Sequence, residues 1–338
     1  MSLLYPEIFE LAYRGLLAAG IHQAQAKETA QFLALAEFDG LGSHGLARVS
    51  QYAGHALNQR IKLNPKIKTE RFKKACALVN ADDGLAFPAL RLATDLSVNL
   101  ASDAGIGLVA VNNSHHFGVA GHYVEAAARA GFISLMFGNT PAAMPMLGGK
   151  EAIFGTNPIA VSFPMPKGDP LVIDMSLSAV ARGKLLIAAK KGEKIPEGWA
   201  LTADGQPTTN PHEGLKGLMV PLGGDKGALL ALMIELMVVG LSGSRFSFEA
   251  DSFFDAQGNK PRIGQLIISI DPGVGGKNIF SDQMNRFCKK ISQSEGTRFP
   301  GERRFKQRKI TMREGIKISD SVLSEIQEGI KNSWKNNF

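Results

Sequence analysis

Apolar residues recur at helical spacing through the first sixty positions, where Ile8, Leu11 and Ala12 and then Ala30, Leu33 and Ala34 mark one face of successive turns. Gly20, Gly40, Gly42 and Gly45 punctuate that pattern, so residues 5–60 predict helices broken at the glycines. After the basic stretch 62–74 the pattern turns mixed. Residues 75–79 read as a strand, Ala89, Leu92, Ala93, Leu96 and Leu100 as one helix face, and 106–111 as a buried strand with few charges to solvate it. Short apolar runs bounded by Gly or Pro predict strands at 132–137, 159–163 and 171–174, with another at 261–270. A strongly apolar helix begins at Gly223-Gly224-Asp225-Lys226-Gly227 and runs through Leu241, with Asp225 placed as its N-cap. A helix over 280–294 follows, and Ser319 caps a last amphipathic helix carrying Val322, Leu323, Ile326 and Ile330. Strands alternating with helices make this an α/β protein.

Composition narrows the class. A chain of 338 residues, 44% hydrophobic and 20% charged, buries a core sufficient for two or three subdomains without disulfides. It has no apolar run of the ~18 residues a bilayer span requires, and no basic, apolar leader at its start, so a cytoplasmic protein without membrane contact is expected. Cys76 and Cys288 stand too far apart in sequence to suggest a disulfide framework or a metal site. The net charge of +7 has its densest stretch at 298–309, but no nucleic-acid motif accompanies it and aromatics are only 7%. That stretch is a solvated face or a seat for a small anion.

The chemistry-bearing residues cluster. In the run 39–48, His44 stands beside the Ser43 hydroxyl and one helical turn from Arg48, which combines a group that titrates near neutrality with one that grips a carboxylate. A second cluster follows the 106–111 strand: Asn112-Asn113-Ser114-His115-His116-Phe117-Gly118-Val119-Ala120-Gly121 leads into a helix, an arrangement that favours an anion at the helix N-terminus. No segment matches G-x-G-x-x-G, and the glycine run ending at Lys277 fails the P-loop spacing. His115, His116 and His122 lack a Cys or acidic partner at ligand spacing, so no metal is expected. A long loop over 146–158 offers Thr156, Arg182-Gly183-Lys184 adds a second guanidinium after Asp174-Met175-Ser176, and a lysine at 226 in a first helical turn is better placed if an anion binds there.

Taken in order, the motifs at 39–48, 113–121, 148–158, 174–184, 195–211, 223–227 and 298–304 resemble the type-2 malate/L-lactate dehydrogenase family, which also holds sulfolactate and ureidoglycolate dehydrogenases and Δ1-piperideine/pyrroline-2-carboxylate reductases. The resemblance runs through the whole chain. It implies a nicotinamide-dependent oxidoreductase whose NAD(P)-binding sheet is not a Rossmann domain but a mixed, largely antiparallel one, joined to a helical domain built from both termini and a small inserted helical subdomain. The expected division is 1–70 with 305–338 for the helical substrate and dimer domain, 71–190 with 261–304 for the cofactor sheet, and 191–260 for the small subdomain. Family likeness also implies a homodimer.

By the same resemblance, Ser43, His44 and Arg48 are the catalytic group, His44 moving the proton and Arg48 clamping a substrate carboxylate, with Thr156, Arg182 and Gly183 as further substrate contacts. NAD or NADP is expected on His116, Phe117, Gly118, Val119 and Ala120, on Asp174, Met175 and Ser176, on Asp225 and Lys226, and on Arg298, Pro300, Gly301, Arg303 and Arg304. The imine reductases of the family are similar to one another in carrying an acid after the Arg-Gly pair. Here that position is Lys184, which favours a small 2-hydroxy or 2-oxo acid of the malate, lactate or sulfolactate type as partner over a cyclic imino acid.

Overall fold

The computed structural model describes residues 2–276, 278–335 and 337–338, so Lys277 lies outside the described residues. Three helices open the chain: α1 (Tyr5–Ala18), α2 (Gln23–Phe38) and α3 (Ala47–Leu57), with a short 3-10 turn at Gly42–His44 between the last two. There follow β1 (Lys68–Lys73), β2 (Cys76–Asn80), α4 (Ala86–Ala104), β3 (Ile106–Ser114), α5 (Ala120–Arg129) and β4 (Ile133–Gly138). The middle of the chain holds β5 (Met144–Pro145), β6 (Ala152–Phe154), β7 (Ile159–Phe163), β8 (Leu171–Met175) and α6 (Arg182–Lys191). Next come β9 (Ala200–Leu201), β10 (Pro207–Thr208), α7 (Pro211–Lys216), β11 (Leu218–Met219) and α8 (Asp225–Ser242). The last elements are β12 (Ile263–Ile270), α9 (Ile279–Ser292), α10 (Glu302–Glu314) and α11 (Asp320–Asn332).

Seven strands form the main sheet in the order β1-β2-β3-β12-β4-β7-β8, and only the β2/β3 pair is parallel. The mixed, largely antiparallel sheet is therefore as expected. Strand β12 arrives late in the chain yet sits at the centre, which is why its sequence, Ile-Gly-Gln-Leu-Ile-Ile-Ser-Ile, is apolar on both faces. The period of two sorts the faces. Val109, Val111, Ile263 and Ile267 pack with α4 and α5 residues such as Leu90 and Val124, whereas Ala110 and Leu266 pack with Ile234 and Val238 of α8. Helix α4 lies so close to β3 that a Cβ at Gly107 would stand 2.2 Å from the Ser97 carbonyl oxygen.

Both ends of the chain meet. The Leu3 and Ile316 backbones exchange hydrogen bonds of 3.0 and 2.9 Å, and Trp334, fully buried, donates its indole N–H to the Gly15 carbonyl at 2.9 Å. Helices α1, α3 and α11 thus share one core.

Several elements differ from the periodicity reading. Gly224, not Asp225, is the N-cap of α8, because only a residue tolerant of φ +69° makes the turn; Asp225 becomes the first helical residue. Ser319 does hold the N-cap position of α11 but its hydroxyl contacts Ser321 rather than the helix backbone. Strand β1 went unread because all six of its residues are exposed and no apolar alternation marks an edge strand of that kind. The 146–158 loop carries β6, and 195–211 carries β9 and β10, each too short to show a period. Helix α10 was hidden by its charge.

Trp334 and the histidines generate two predictions. Trp334→Ala removes a fully buried indole and its bond, and a loss of about 3–5 kcal/mol in unfolding free energy is expected, measured as a shifted denaturant midpoint. His44, His55, His115, His116 and His122 all have pKa values lowered in the folded chain, chiefly by burial, with His44 and His55 pushed down to about 4. The unfolded chain therefore binds more protons between about pH 6.5 and 4, so stability falls as pH drops through that window. Thermal midpoints read from pH 7 down to pH 4.5 should decline in step; a flat profile would contradict burial of these rings as neutral imidazoles.

Candidate active site

The Gly42–His44 turn is shaped from below by a buried carboxylate. Glu37, at the end of α2, accepts the Leu46 N–H at 2.6 Å, and a Cβ at Gly45 would lie 2.2 Å from its Oε1. Burial raises the Glu37 pKa and the Leu46 bond opposes that rise. Glycine at 45 lets the carboxylate sit directly under the turn, and Leu46 is the residue from which α3 starts. Ser43, His44 and, at the second residue of α3, Arg48 then project from a single braced corner.

That corner faces a cleft of about 470 Å³ whose walls come from distant parts of the chain. Ser43, His44, Arg48, His116 through Ala120, Thr156, Asp174 through Ser176, Arg182, Gly183, Arg298, Gly301, Arg303 and Arg304 all line it. Pro300, Asp225 and Lys226 do not. Pro300 faces a separate cavity behind the 298–304 loop, which alternates its residues between the two spaces. Asp225 and Lys226 are exposed at the start of α8, beside the cleft rim: the Leu222 N–H bonds the Leu177 carbonyl at 2.7 Å, next to Ser176 and Ser178. Lys184 is outside as well, its ammonium 5.6 Å from the Trp199 ring centre, so it assists nothing in the cleft.

Ring contacts set the state of His44. Its Nδ1 lies 3.0 Å from Ser43 Oγ, and its ring stacks on that of His116 with centroids 5.8 Å apart at 17°. Burial, followed by the positive charge of Arg48, pushes the imidazole down to about 4, so it is neutral at working pH. His116 is fixed from behind: its Nδ1 accepts the Tyr52 hydroxyl at 2.6 Å and the Gly118 N–H at 3.4 Å, which leaves the proton on Nε2. His115 points away from the cleft and pairs with His55, Nε2 to Nδ1, at 2.9 Å. Among the described residues no three His, Cys, Asp or Glu side chains group as metal ligands.

The cations divide into two kinds. Arg48 donates to the Ser43 carbonyl at 2.7 Å and to Gln51 Oε1, and Arg182 donates to the Leu215 carbonyl at 2.8 Å; neither forms an ion pair among the described residues. Arg304 and Arg308 are spent inward. Arg308 holds Asp39 with bonds of 2.5 and 2.8 Å and Glu125 with bonds of 2.7 and 2.9 Å, while Arg304 reaches Glu125 at 2.9 Å. His122 donates from Nε2 to Asp39 at 2.8 Å. Burial pushes the Asp39 and Glu125 carboxyls up, but the Arg308 bonds and charges outweigh it and hold both below the ordinary range. The 298–309 stretch is thus neither wholly solvated nor wholly a ligand seat.

The helix N-terminus expected to take an anion at α5 already has one: the Gly121 N–H donates to Asp174 Oδ2 at 2.7 Å. A remaining anion seat lies where Arg298 and Arg303 have no carboxylate partner among the described residues and Gly301, at φ +86°, caps the thirteen-residue α10. An apolar floor from Phe117, Val119, Ala120 and Val172 joins that seat to His44. A flat ring near the histidine and a diphosphate near the arginines fit this shape and donor set.

Sequence reasoning missed the lining from Thr140 to Ala143 and from Ser252 to Phe254. The second of these is held in place by Arg60, almost wholly buried, which donates to the Asp251, Ser252, Asp255 and Asn259 carbonyls. The one available signal was the Phe253-Phe254 pair in an otherwise polar stretch without period.

Comparison with known proteins agrees with this geometry. Residues 4–327 match the model of the malate/L-lactate dehydrogenase family. A (2R)-3-sulfolactate dehydrogenase (NADP(+)) of Chromohalobacter salexigens is 42% identical over 317 residues, 94% of each chain. A Δ1-pyrroline-2-carboxylate/Δ1-piperideine-2-carboxylate reductase of Pseudomonas putida is 36% identical over 91% of each. The crystal structure of the Δ1-piperideine-2-carboxylate reductase of Pseudomonas syringae pv. tomato superposes with a TM-score of 0.91 at 34% identity, covering 97% of this chain and 99% of that one. With the family model spanning nearly every element and the cleft assembled from the motifs that suggested it, the chain belongs to the malate/L-lactate dehydrogenase family and is an NAD(P)-dependent oxidoreductase.

Proposed function

We propose that this protein interconverts a small 2-hydroxy acid and its 2-oxo acid, with His44 as general acid and base and Arg48 as the clamp on the substrate carboxylate. The observation that carries this reading is a neutral imidazole and two guanidiniums without acid partners sharing one cleft. Ser43 Oγ, 3.0 Å from Nδ1 of His44, can accept an Nδ1 proton, and in that tautomer the Nε2 lone pair takes the hydroxyl proton in oxidation and returns it in reduction. Arg48, held by the Ser43 carbonyl and Gln51, orients the carboxylate, and Thr156 and Gly183 bound the space around C2. When bound, the nicotinamide supplies the hydride chemistry. Arg298, Arg303 and the α10 N-terminus would hold its diphosphate, and the 116–120 and 174–176 segments its ring and ribose.

An imine substrate, as acted on by the reductases of Pseudomonas, is the second reading. Against it, the position after the Arg182-Gly183 pair, where the family's imine reductases resemble one another in carrying an acid, holds a lysine turned to Trp199. The helical unit of 1–70 with 305–338, the sheet unit of 71–190 with 261–304 and the inserted 191–260 are proposed as the working parts, with the cleft between the first two and the third adding Ser252 to Phe254 to its lining.

A homodimer is supported by α8, which exposes Leu229, Leu230, Met233, Leu236 and Leu241 along one face, and by α9, which has an apolar side yet no buried residue. The free thiols Cys76 and Cys288 fit a reducing cytoplasm. Among the described residues no helix is long and apolar enough to cross a membrane.

His44→Ala is expected to lower kcat by about 10²–10⁴-fold while cofactor affinity, followed by NADPH or NADH fluorescence, stays within a few-fold. A base must be unprotonated, so kcat/KM for oxidation should hold to about pH 5 and fall on an acid limb near the free-enzyme value of about 4. A substrate carboxylate on Arg48 offsets one of the charges that depress His44, so the limb in kcat should lie at higher pH than the limb in kcat/KM. Leu236→Arg should convert the species seen by light scattering from dimer to monomer; an unchanged dimer would move the interface elsewhere.

A further inference from the structure

The loop at 251–259 places one phenyl ring within reach of both cations of the cleft that form no ion pair among the described residues. The guanidinium carbons of Arg48 and of Arg182 each lie 5.5 Å from the centre of the Phe254 ring. Phe254 is 46% exposed, an unusual state for a phenylalanine whose backbone is so firmly held. On one side of it Gln51 Nε2 donates to the Phe253 carbonyl at 2.6 Å; around it the Ser252 and Asp255 carbonyls accept from Arg60. Gln51 also accepts from Arg48, so clamp and ring are tied to the same side chain.

A ring quadrupole attracts each cation and keeps the two from drifting, while like charge keeps them from closing on each other. They stay within twice the ring-to-cation distance of one another. Burial lowers the pKa of both arginines, and Asp255 acts on Arg182 across space without bonding it. A substrate with one carboxylate neutralises one of these charges and leaves the other half-buried and uncompensated.

Resting on the reading that Arg48 grips the carboxylate at C1, we propose that Phe254 is a specificity-determining residue that spaces Arg48 and Arg182 as a two-anion reader, so the substrate carries a second acidic group on C3. The two carboxyl carbons of a four-carbon diacid lie about 4 Å apart, and roughly 4 Å more separates each from a guanidinium carbon held by two N–H···O bonds, so such a molecule bridges cations up to about 12 Å apart. A C3 sulfonate presents the same oxygens. A methyl at C3 presents none.

The test is a comparison of kcat/KM for oxaloacetate, 3-sulfopyruvate and pyruvate, with NADPH and with NADH, in the native enzyme and in Phe254→Leu and Arg182→Met. The native enzyme should favour a dianion over pyruvate by at least about 100-fold, and each variant should cut that ratio by about 10- to 100-fold. Which dianion leads tells carboxylate from sulfonate. Phe254 is half in solvent, so Phe254→Leu is expected to keep its thermal midpoint, which separates a specificity effect from misfolding. A native ratio near one, or ratios that neither variant moves, overturns the two-anion reader while leaving the 2-oxo acid reading intact. Failure to reduce any of the three, with turnover of Δ1-piperideine-2-carboxylate, overturns the 2-oxo acid reading and this one with it.

Discussion

The arrangement depends on one buried group of charges. Asp39 at the end of α2, His122 and Glu125 on α5, and Arg304 and Arg308 on α10 bond to one another where little water reaches. Each charge alone would be costly there, and removal of one partner from such a set typically costs about 3–5 kcal/mol because the rest are left unmatched. Three helices from the beginning, middle and end of the chain are fixed against each other as a result. The corner bearing His44 follows Asp39 by a few residues, the 116–120 segment precedes His122, and the 298–303 loop precedes Arg304. The His44 corner, the 116–120 segment and the 298–303 loop are therefore all anchored beside one ionic group.

Electrostatic design within the cleft follows from that rigidity. His44 is kept neutral by burial and by Arg48, and its orientation is kept by Ser43 on one side and the stacked His116 on the other. Tyr52 holds His116 and Gln51 holds Arg48, so α3 supports both the acid-base group and the carboxylate clamp. Cations without partners are concentrated where anionic ligands belong, and cations with structural work are satisfied by carboxylates a few ångströms behind them.

Much of this was legible in the sequence, for identifiable reasons. The strands read at 159–163, 171–174 and 261–270 are short apolar runs, α4 carries a periodic face and α8 a long apolar run, so local pattern and tertiary burial agree there. The Ser43-His44 and Arg182-Gly183 motifs pointed to the cleft through the family resemblance, since a Ser-His pair between glycines is by itself as good a turn as a site. What stayed hidden was non-local. Arg304 and Arg303 are neighbours of identical type that both line the cleft, and only the folded chain shows the first bonded to Glu125 and the second without a carboxylate partner among the described residues. Phe254 has no motif, since its position is dictated by Arg60, nearly two hundred residues earlier. Edge strand β1 and helix α10 are polar and carry no apolar stripe.

Glu37 beneath the Gly45 backbone has a consequence for how the enzyme can diversify. The carboxylate fills the volume that any side chain at 45 would need, so the hinge between α2 and α3 has no slack in which to tilt. Proton carrier and carboxylate grip consequently travel as one rigid cassette, and new substrates are accommodated by rewriting the surrounding loops that face it rather than the cassette itself.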